Sequence, residues 1–155
     1  MKYSIDTSAI LQGWLKHYPP DVFPGFWEKL DTLTSNGDLR ATEEVLHELE
    51  KQHDEVFAWV AKGPALFIPL DGPIQVCVKE ILAAHPRLVD NRRNRSGADP
   101  FVIALARVNG ATVVTGESLT GNLMKPNIPD VCAAMGIPCI NLLQLIRREG
   151  WTFNP

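Results

Sequence analysis

Apolar positions along the chain fall into two alternating rhythms, short runs of three or four residues and longer stretches with helical spacing. Tyr3-Ser4-Ile5 predicts a strand, closed by Asp6-Thr7-Ser8. Ile10, Leu11, Trp14 and Leu15 predict one face of a helix over 8–16, and Tyr18-Pro19-Pro20-Asp21 a break. Phe26, Leu30 and Leu33 mark a second helix that stops near Asn36-Gly37, and 38–41 can be a second strand. Thr42 is placed to cap the next helix, with Glu43 and Glu44 in the first turn, where the helix dipole favours acids. Val45, Leu49, Val56 and Val60 predict that this helix runs unbroken to Lys62-Gly63-Pro64.

A third strand is expected over 66–68, and a helix over 73–84 with Ile74, Val78, Ile81 and Leu82 inward. The polar stretch 85–97 carries Arg87, Arg92, Arg93 and Arg95 against one acid, Asp90. Asp99-Pro100 then opens an apolar helix ended by Gly110, 111–114 reads as a buried strand, and Thr115-Gly116-Glu117 leaves it with a second acid. A loop over 118–129, a short helix over 130–135, a strand over 137–140 and a helix over 142–149 complete the pattern. Strands alternating with helices predict an α/β fold with a parallel sheet covered on both faces.

Composition narrows this little. The 155 residues suit one domain over 1–155, and 45% apolar with 21% charged residues is ordinary globular usage. The net charge of −3 means that nucleic-acid binding would have to rest on local patches. No apolar run approaches the roughly 18 residues of a membrane span, and the start of the chain lacks the apolar core of a signal peptide. Cys77, Cys132 and Cys139 are odd in number, with no C-x-x-C spacing, so free thiols and a cytoplasmic location are expected.

The candidate chemistry lies in the acids. In parallel sheets, sites form outside the carboxyl ends of the strands. Asp6 closes the first strand, Glu117 follows the fourth, and Asp99 opens a helix antiparallel to that fourth strand. Glu48 lies ~9 Å along its helix, at the margin of the apolar stripe, and Glu44 points further out. Four carboxylates can therefore meet at one edge. Such a cluster is costly unless cations neutralise it. Mg²⁺ or Mn²⁺ suits an all-oxygen ligand set and activates water for phosphodiester hydrolysis. Singly, each acid has a plainer role available: Asp99 as a helix cap, Glu48 as one of many helical glutamates, Glu117 as a turn residue. Asp6 has few evident structural duties. Thr7 and Ser8 could cap the first helix, and Ser8 could steady a ligand.

With these residues in place, the chain resembles the PIN-domain nucleases over nearly its whole length. The resemblance rests on Ile5-Asp6-Thr7-Ser8, Val45-Leu46-His47-Glu48-Leu49, Ala98-Asp99-Pro100 with Ile103-Ala104-Leu105-Ala106, and Val113-Val114-Thr115-Gly116-Glu117. It implies a three-layer α/β/α sandwich with a five-stranded parallel sheet in the order 3-2-1-4-5. It also implies an endoribonuclease in which Asp6, Glu48, Asp99 and Glu117 bind Mg²⁺ or Mn²⁺ and Ser8 supports them. Chains of this kind look like a prokaryotic subfamily often paired with an antitoxin. The partners expected are RNA, an antitoxin protein and a second copy of the chain, with no membrane. Glu117 departs from the pattern, since many members carry Asp there, and the 18–36 and 51–73 regions exceed those of compact toxin nucleases.

Other classes fit less well. A zinc protease needs H-E-x-x-H, and Lys51 stands where the second His belongs. A serine hydrolase at Ser118 lacks the closing Gly, and every His precedes it. An aspartyl-phosphate phosphatase would carry a second Asp where Ser8 stands, and no Gly-rich phosphate loop is present. The surviving alternative is a catalytically silent PIN-like module that binds RNA or protein. Arg92, Arg93 and Arg95 run towards Asp99, and two readings are open for them: a solvated polar loop, or a grip on the RNA backbone through guanidinium–phosphate hydrogen bonds.

Overall fold

Strands β1 (Tyr3–Ile5), β2 (Leu39–Thr42), β3 (Phe67–Ile68), β4 (Thr112–Val114) and β5 (Cys139–Ile140) pair in parallel in the order β3-β2-β1-β4-β5. This computed structural model describes residues 1–89 and 97–153. Helices α1 (Thr7–Gln12), α2 (Pro24–Ser35), α3 (Glu43–Gln52), α4 (Asp54–Lys62), α5 (Gly72–Ala84), α6 (Asp99–Asn109), α7 (Ile128–Met135) and α8 (Leu142–Glu149) flank the sheet. The result is the parallel sheet covered on both faces that the residue pattern predicts, in the three-layer arrangement and strand order that the resemblance implies. Among the described residues no helix is long and apolar enough to cross a membrane. Arg92, Arg93 and Arg95 lie outside the described residues.

Central strands β1 and β4 are buried along their whole length, which explains why both read as continuous rather than alternating runs. Ser4 is the polar exception in β1. Its hydroxyl is fully buried and donates to Val102 O at 2.8 Å, which ties the strand to α6. Helix α6 buries Val102 through Ala106 without interruption, as expected of a helix apolar on every side. Gly110 ends it in the left-handed conformation (φ 62°), where a residue with a Cβ would be strained. The register sets Tyr3 beside Thr112 and Ile5 beside Val114. Asp6 N–H then donates to Val114 O (3.0 Å), and Thr115 N–H to Ile140 O (2.9 Å). Asp6 and Thr115 therefore leave the sheet side by side at its carboxyl edge.

Four local expectations need correction. The helix over 43–62 is two helices. His53 breaks it in an extended conformation (φ −157°, ψ 109°), and its Nδ1 accepts from Val56 N–H to start α4. The first helix does not run regularly to residue 16. After Gln12 it widens into a π-helical turn, Gly13–His17, closed by Tyr18 N–H to Gly13 O at 2.8 Å. The wider turn leaves Leu15 56% exposed, while Trp14 packs against Trp27 and Trp59 with ring centroids at 5.1 and 5.7 Å. Thr42 holds the cap position of α3, but its side chain makes no capping bond, and its hydroxyl is buried without a partner. The 118–129 loop ends earlier than expected, because α7 already begins at Ile128.

Candidate active site

Asp6 is the cap of α1, a structural duty that the sequence pattern did not reveal. Its Oδ1 accepts from Ala9 N–H at 2.8 Å, so one carboxylate oxygen fixes the strand-to-helix turn. Thr7 and Ser8 are already inside the helix. Ser8 Oγ donates to the Asp6 carboxylate, at 2.8 Å from Oδ2 and 2.9 Å from Oδ1. Thr115 Oγ1 donates to Oδ2 at 2.7 Å. Ser8 Oγ in turn accepts from Gly116 N–H (3.0 Å), and Thr115 Oγ1 from Glu117 N–H (3.1 Å). These hydroxyls form a relay that locks the end of β1 to the end of β4. Thr115 was not singled out from the sequence. The available signal was a hydroxyl residue one step beyond β4, in register with an acid one step beyond β1.

Asp6 is 3% exposed. Burial pushes its carboxyl up to about 7, and the negative charge of Glu117 adds to that rise, against the lowering effect of the Thr115, Ala9 and Ser8 hydrogen bonds. Charging this carboxylate is therefore costly unless something positive approaches it.

Asp6, Glu48, Asp99 and Glu117 line one cavity of about 180 Å³ at the carboxyl edge of the sheet, together with Thr7 and Ser8. Glu48 reaches it from α3, and its Oε1 is buried without a hydrogen-bond partner. Glu44 does not line this cavity; it lines a neighbouring one with His47, Glu48 and Lys51. Asp99 sits in the first turn of α6, but Ala98 takes the cap position, so a capping role does not account for Asp99. Glu117 has a structural contact of its own. Its Oε2 accepts from Ile128 N–H at 2.8 Å, at the N-terminus of α7, where the helix dipole favours an anion.

Although the four acids share a cavity, no three His, Cys, Asp or Glu side chains among the described residues converge as a ready ligand set. Two of the carboxylates are directed to protein donors, Asp6 to hydroxyls and a backbone N–H and Glu117 to a helix end. The chemistry of the cavity still fits a hard divalent ion. Its acidic groups are all oxygen donors, Glu48 Oε1 is a buried acceptor with nothing to accept, and Asp6 is disfavoured as an isolated anion.

Two further residues order the segments that follow β4 and were not anticipated. Buried Asp130 accepts from Thr120 N–H, Thr120 Oγ1, Gly121 N–H and Asn127 N–H, at 2.8–3.1 Å, and so folds the 118–127 loop over the start of α7. Those hydrogen bonds hold its carboxyl below the usual range, against the opposing effect of burial. Gln12 Nε2 donates to Gly116 O at 3.1 Å, and a Cβ on Gly116 would stand 2.6 Å from the Gln12 amide. Gly116→Ala is therefore expected to push Gln12 aside and cost about 1 kcal/mol, the worth of one hydrogen bond. In a Gln12→Ala background the same change should cost almost nothing, and chemical denaturation of the four proteins reads this coupling directly.

Fold and site together define an α/β protein with an acidic cavity at the carboxyl edge of a parallel sheet. Residues 3–153 match a family model described as Domain of unknown function (DUF4411), and the chain belongs to that family. No curated protein matches the chain.

Proposed function

We propose that the chain is a metal-dependent endoribonuclease of the PIN type, in the cytoplasm, and that it is the toxin half of a toxin–antitoxin pair. The observation that carries the enzymatic reading is the cavity itself. Acids from the end of β1, from α3, from the start of α6 and from beyond β4 line one space at the carboxyl edge of a 3-2-1-4-5 sheet. In this reading Asp6, Glu48 and Asp99 hold a Mg²⁺ or Mn²⁺ ion, and Glu117 assists with it or with a second. A divalent ion in such a site neutralises phosphate charge and lowers the pKa of water. The Ser8 and Thr115 hydroxyls keep the Asp6 carboxylate aimed. Arg92, Arg93 and Arg95 would hold the RNA backbone, since a carboxylate-lined cavity repels phosphate.

The test is incubation of RNA with the purified chain, with end-group analysis of the products. A chelator should stop cleavage, and Mn²⁺ or Mg²⁺ should restore it. Products should carry 5′-phosphate and 3′-hydroxyl ends. Ends bearing 2′,3′-cyclic phosphate would contradict the reading, because they report attack by the RNA's own 2′-hydroxyl. Activity at limiting metal should fall as pH drops below about 7, because Asp6 must ionise to act as a ligand. A catalytically silent RNA- or protein-binding module is the second reading. It is favoured by the lack, among the described residues, of three converging ligand side chains.

A further inference from the structure

We propose that a second cavity, on the other side of Glu117, binds a nucleobase of single-stranded RNA next to the phosphodiester presented to the acids. The identity of the polymer rests on the nuclease reading; the pocket and its preference for a base do not. This cavity measures about 400 Å³, within the range of roughly 300–1,000 Å³ typical of small-molecule sites. Glu117 lines both cavities, so an occupant of one is adjacent to an occupant of the other.

Its walls fit a flat, uncharged ring with polar edges. His17 and Tyr18 supply aromatic surface, and Leu142 and Leu143 apolar surface. Among the described residues that line it there is no Lys or Arg, and Glu117 is one of them, which makes free phosphate a poor occupant. Two side-chain amides offer hydrogen bonds to an edge. Asn141 Oδ1 accepts from Gln144 N–H at 2.8 Å to cap α8, which leaves its Nδ2 as a donor. Gln12 Nε2 is engaged by Gly116 O, which leaves its Oε1 as an acceptor. One donor and one acceptor over an aromatic platform suit the edge and face of a base.

The Tyr18 half of the aromatic wall is held in place before any ligand arrives. The π-helical turn sets His17 and Tyr18 at the cavity, and such turns recur at functional sites. Trp27 Nε1 donates to Tyr18 O at 2.7 Å, and the Tyr18 ring stacks on buried Phe26 with centroids 4.6 Å apart at 25°. Tyr18 therefore loses little freedom on stacking. The turn also packs Trp14 against Trp27 and Trp59, and a base platform gives its far end a use.

The experiment is an NMR titration of the isotopically labelled full chain, with chelator present, using adenosine and uridine 5′-monophosphates as probes and ribose 5-phosphate as the base-free control. At least one nucleotide should shift the backbone resonances of residues 12–18 and 141–143, and ribose 5-phosphate should not. His17→Ala combined with Leu143→Ala, both at exposed positions, should weaken nucleotide binding about tenfold. Equal shifts from ribose 5-phosphate, shifts confined to other residues, or no binding by either nucleotide would overturn the proposal. A parallel RNA cleavage assay separates the two readings. Nucleotide binding here without Mn²⁺-dependent cleavage would sink the nuclease and leave the base pocket standing. Cleavage without nucleotide binding here would remove the pocket alone.

Discussion

Asp6→Asn is expected to stabilise the chelated protein at pH 8 and to abolish RNA cleavage. Both effects come from one charge. Asn keeps an oxygen to accept from Ala9 N–H, so the α1 cap survives, and the Thr115 hydroxyl can turn to accept from the new amide. What disappears is a carboxylate that burial and Glu117 hold up at about 7. The unfolded chain ionises the same group near the ordinary ~4. Between those values the unfolded state binds fewer protons than the folded one, so the contribution of Asp6 to stability falls as pH rises through this window. Above pH 7 the full penalty is present, on the order of 1–4 kcal/mol. Thermal melts in chelator should therefore place Asp6→Asn several degrees above the wild type at pH 8 and close to it at pH 4. Mn²⁺ should raise the wild-type melting temperature and leave the variant unmoved. A variant less stable than the wild type at pH 8 would show that the hydrogen bonds from Ser8 and Thr115 to the charged carboxylate outweigh the cost of burying it. Asp99→Asn should also lose cleavage while unfolding cooperatively, since Ala98 and not Asp99 takes the cap position of α6.

Glu48→Ala is expected to remove nearly all cleavage, and Glu44→Ala very little. The two residues are one helical turn apart on α3, so they share local propensity, and a general effect on the helix would touch both. They differ in what they face. Glu48 lines the four-acid cavity and presents a buried, unpartnered Oε1; Glu44 lines the neighbouring cavity and not the four-acid one. Glu44→Ala should cost at most about 1 kcal/mol, the worth of an acid in the first turn of α3, and Glu48→Ala nothing. Removing an unsatisfied buried acceptor is neutral or favourable, so Glu48→Ala should melt at or above the wild-type temperature. Steady-state cleavage by the two variants checks the assignment, and the reverse ranking would move the helical ligand to Glu44.

Most of the architecture was legible because burial on both faces leaves the strands as short apolar runs between amphipathic helices. Tyr3–Ile5 and Leu142–Glu149 were read to the residue. The break at His53 was not legible, for a physical reason. Val45, Leu49, Val56 and Val60 are spaced as on one continuous helix, and they remain buried when two helices present them. No Gly or Pro marks the break; the signal was the Asp54-Glu55 pair placed as a first turn after a residue able to cap. The π-helical turn was equally hidden, since one wider turn rotates Leu15 out of the stripe without changing composition.

In the site, the acids were legible as residue types at strand ends, and their hydrogen-bonding duties were not. Asp6 as a cap, Thr115 as its donor, Glu117 as an acceptor for the start of α7 and Asp130 as the anchor of the loop all depend on contacts between residues distant in sequence or on exact turn geometry. These duties bear on function. A carboxylate that is half structural is already oriented, and the Ser8 and Thr115 hydroxyls hold that of Asp6 so.

Calorimetric titration of the chelator-stripped protein with Mn²⁺ at pH 8 tests the central claim most directly. The wild type should bind at millimolar concentration or tighter, and Asp6→Asn and Glu48→Ala should each abolish or strongly weaken that binding while keeping a cooperative melt. No heat of binding at millimolar Mn²⁺, or binding unchanged in both variants, would contradict it.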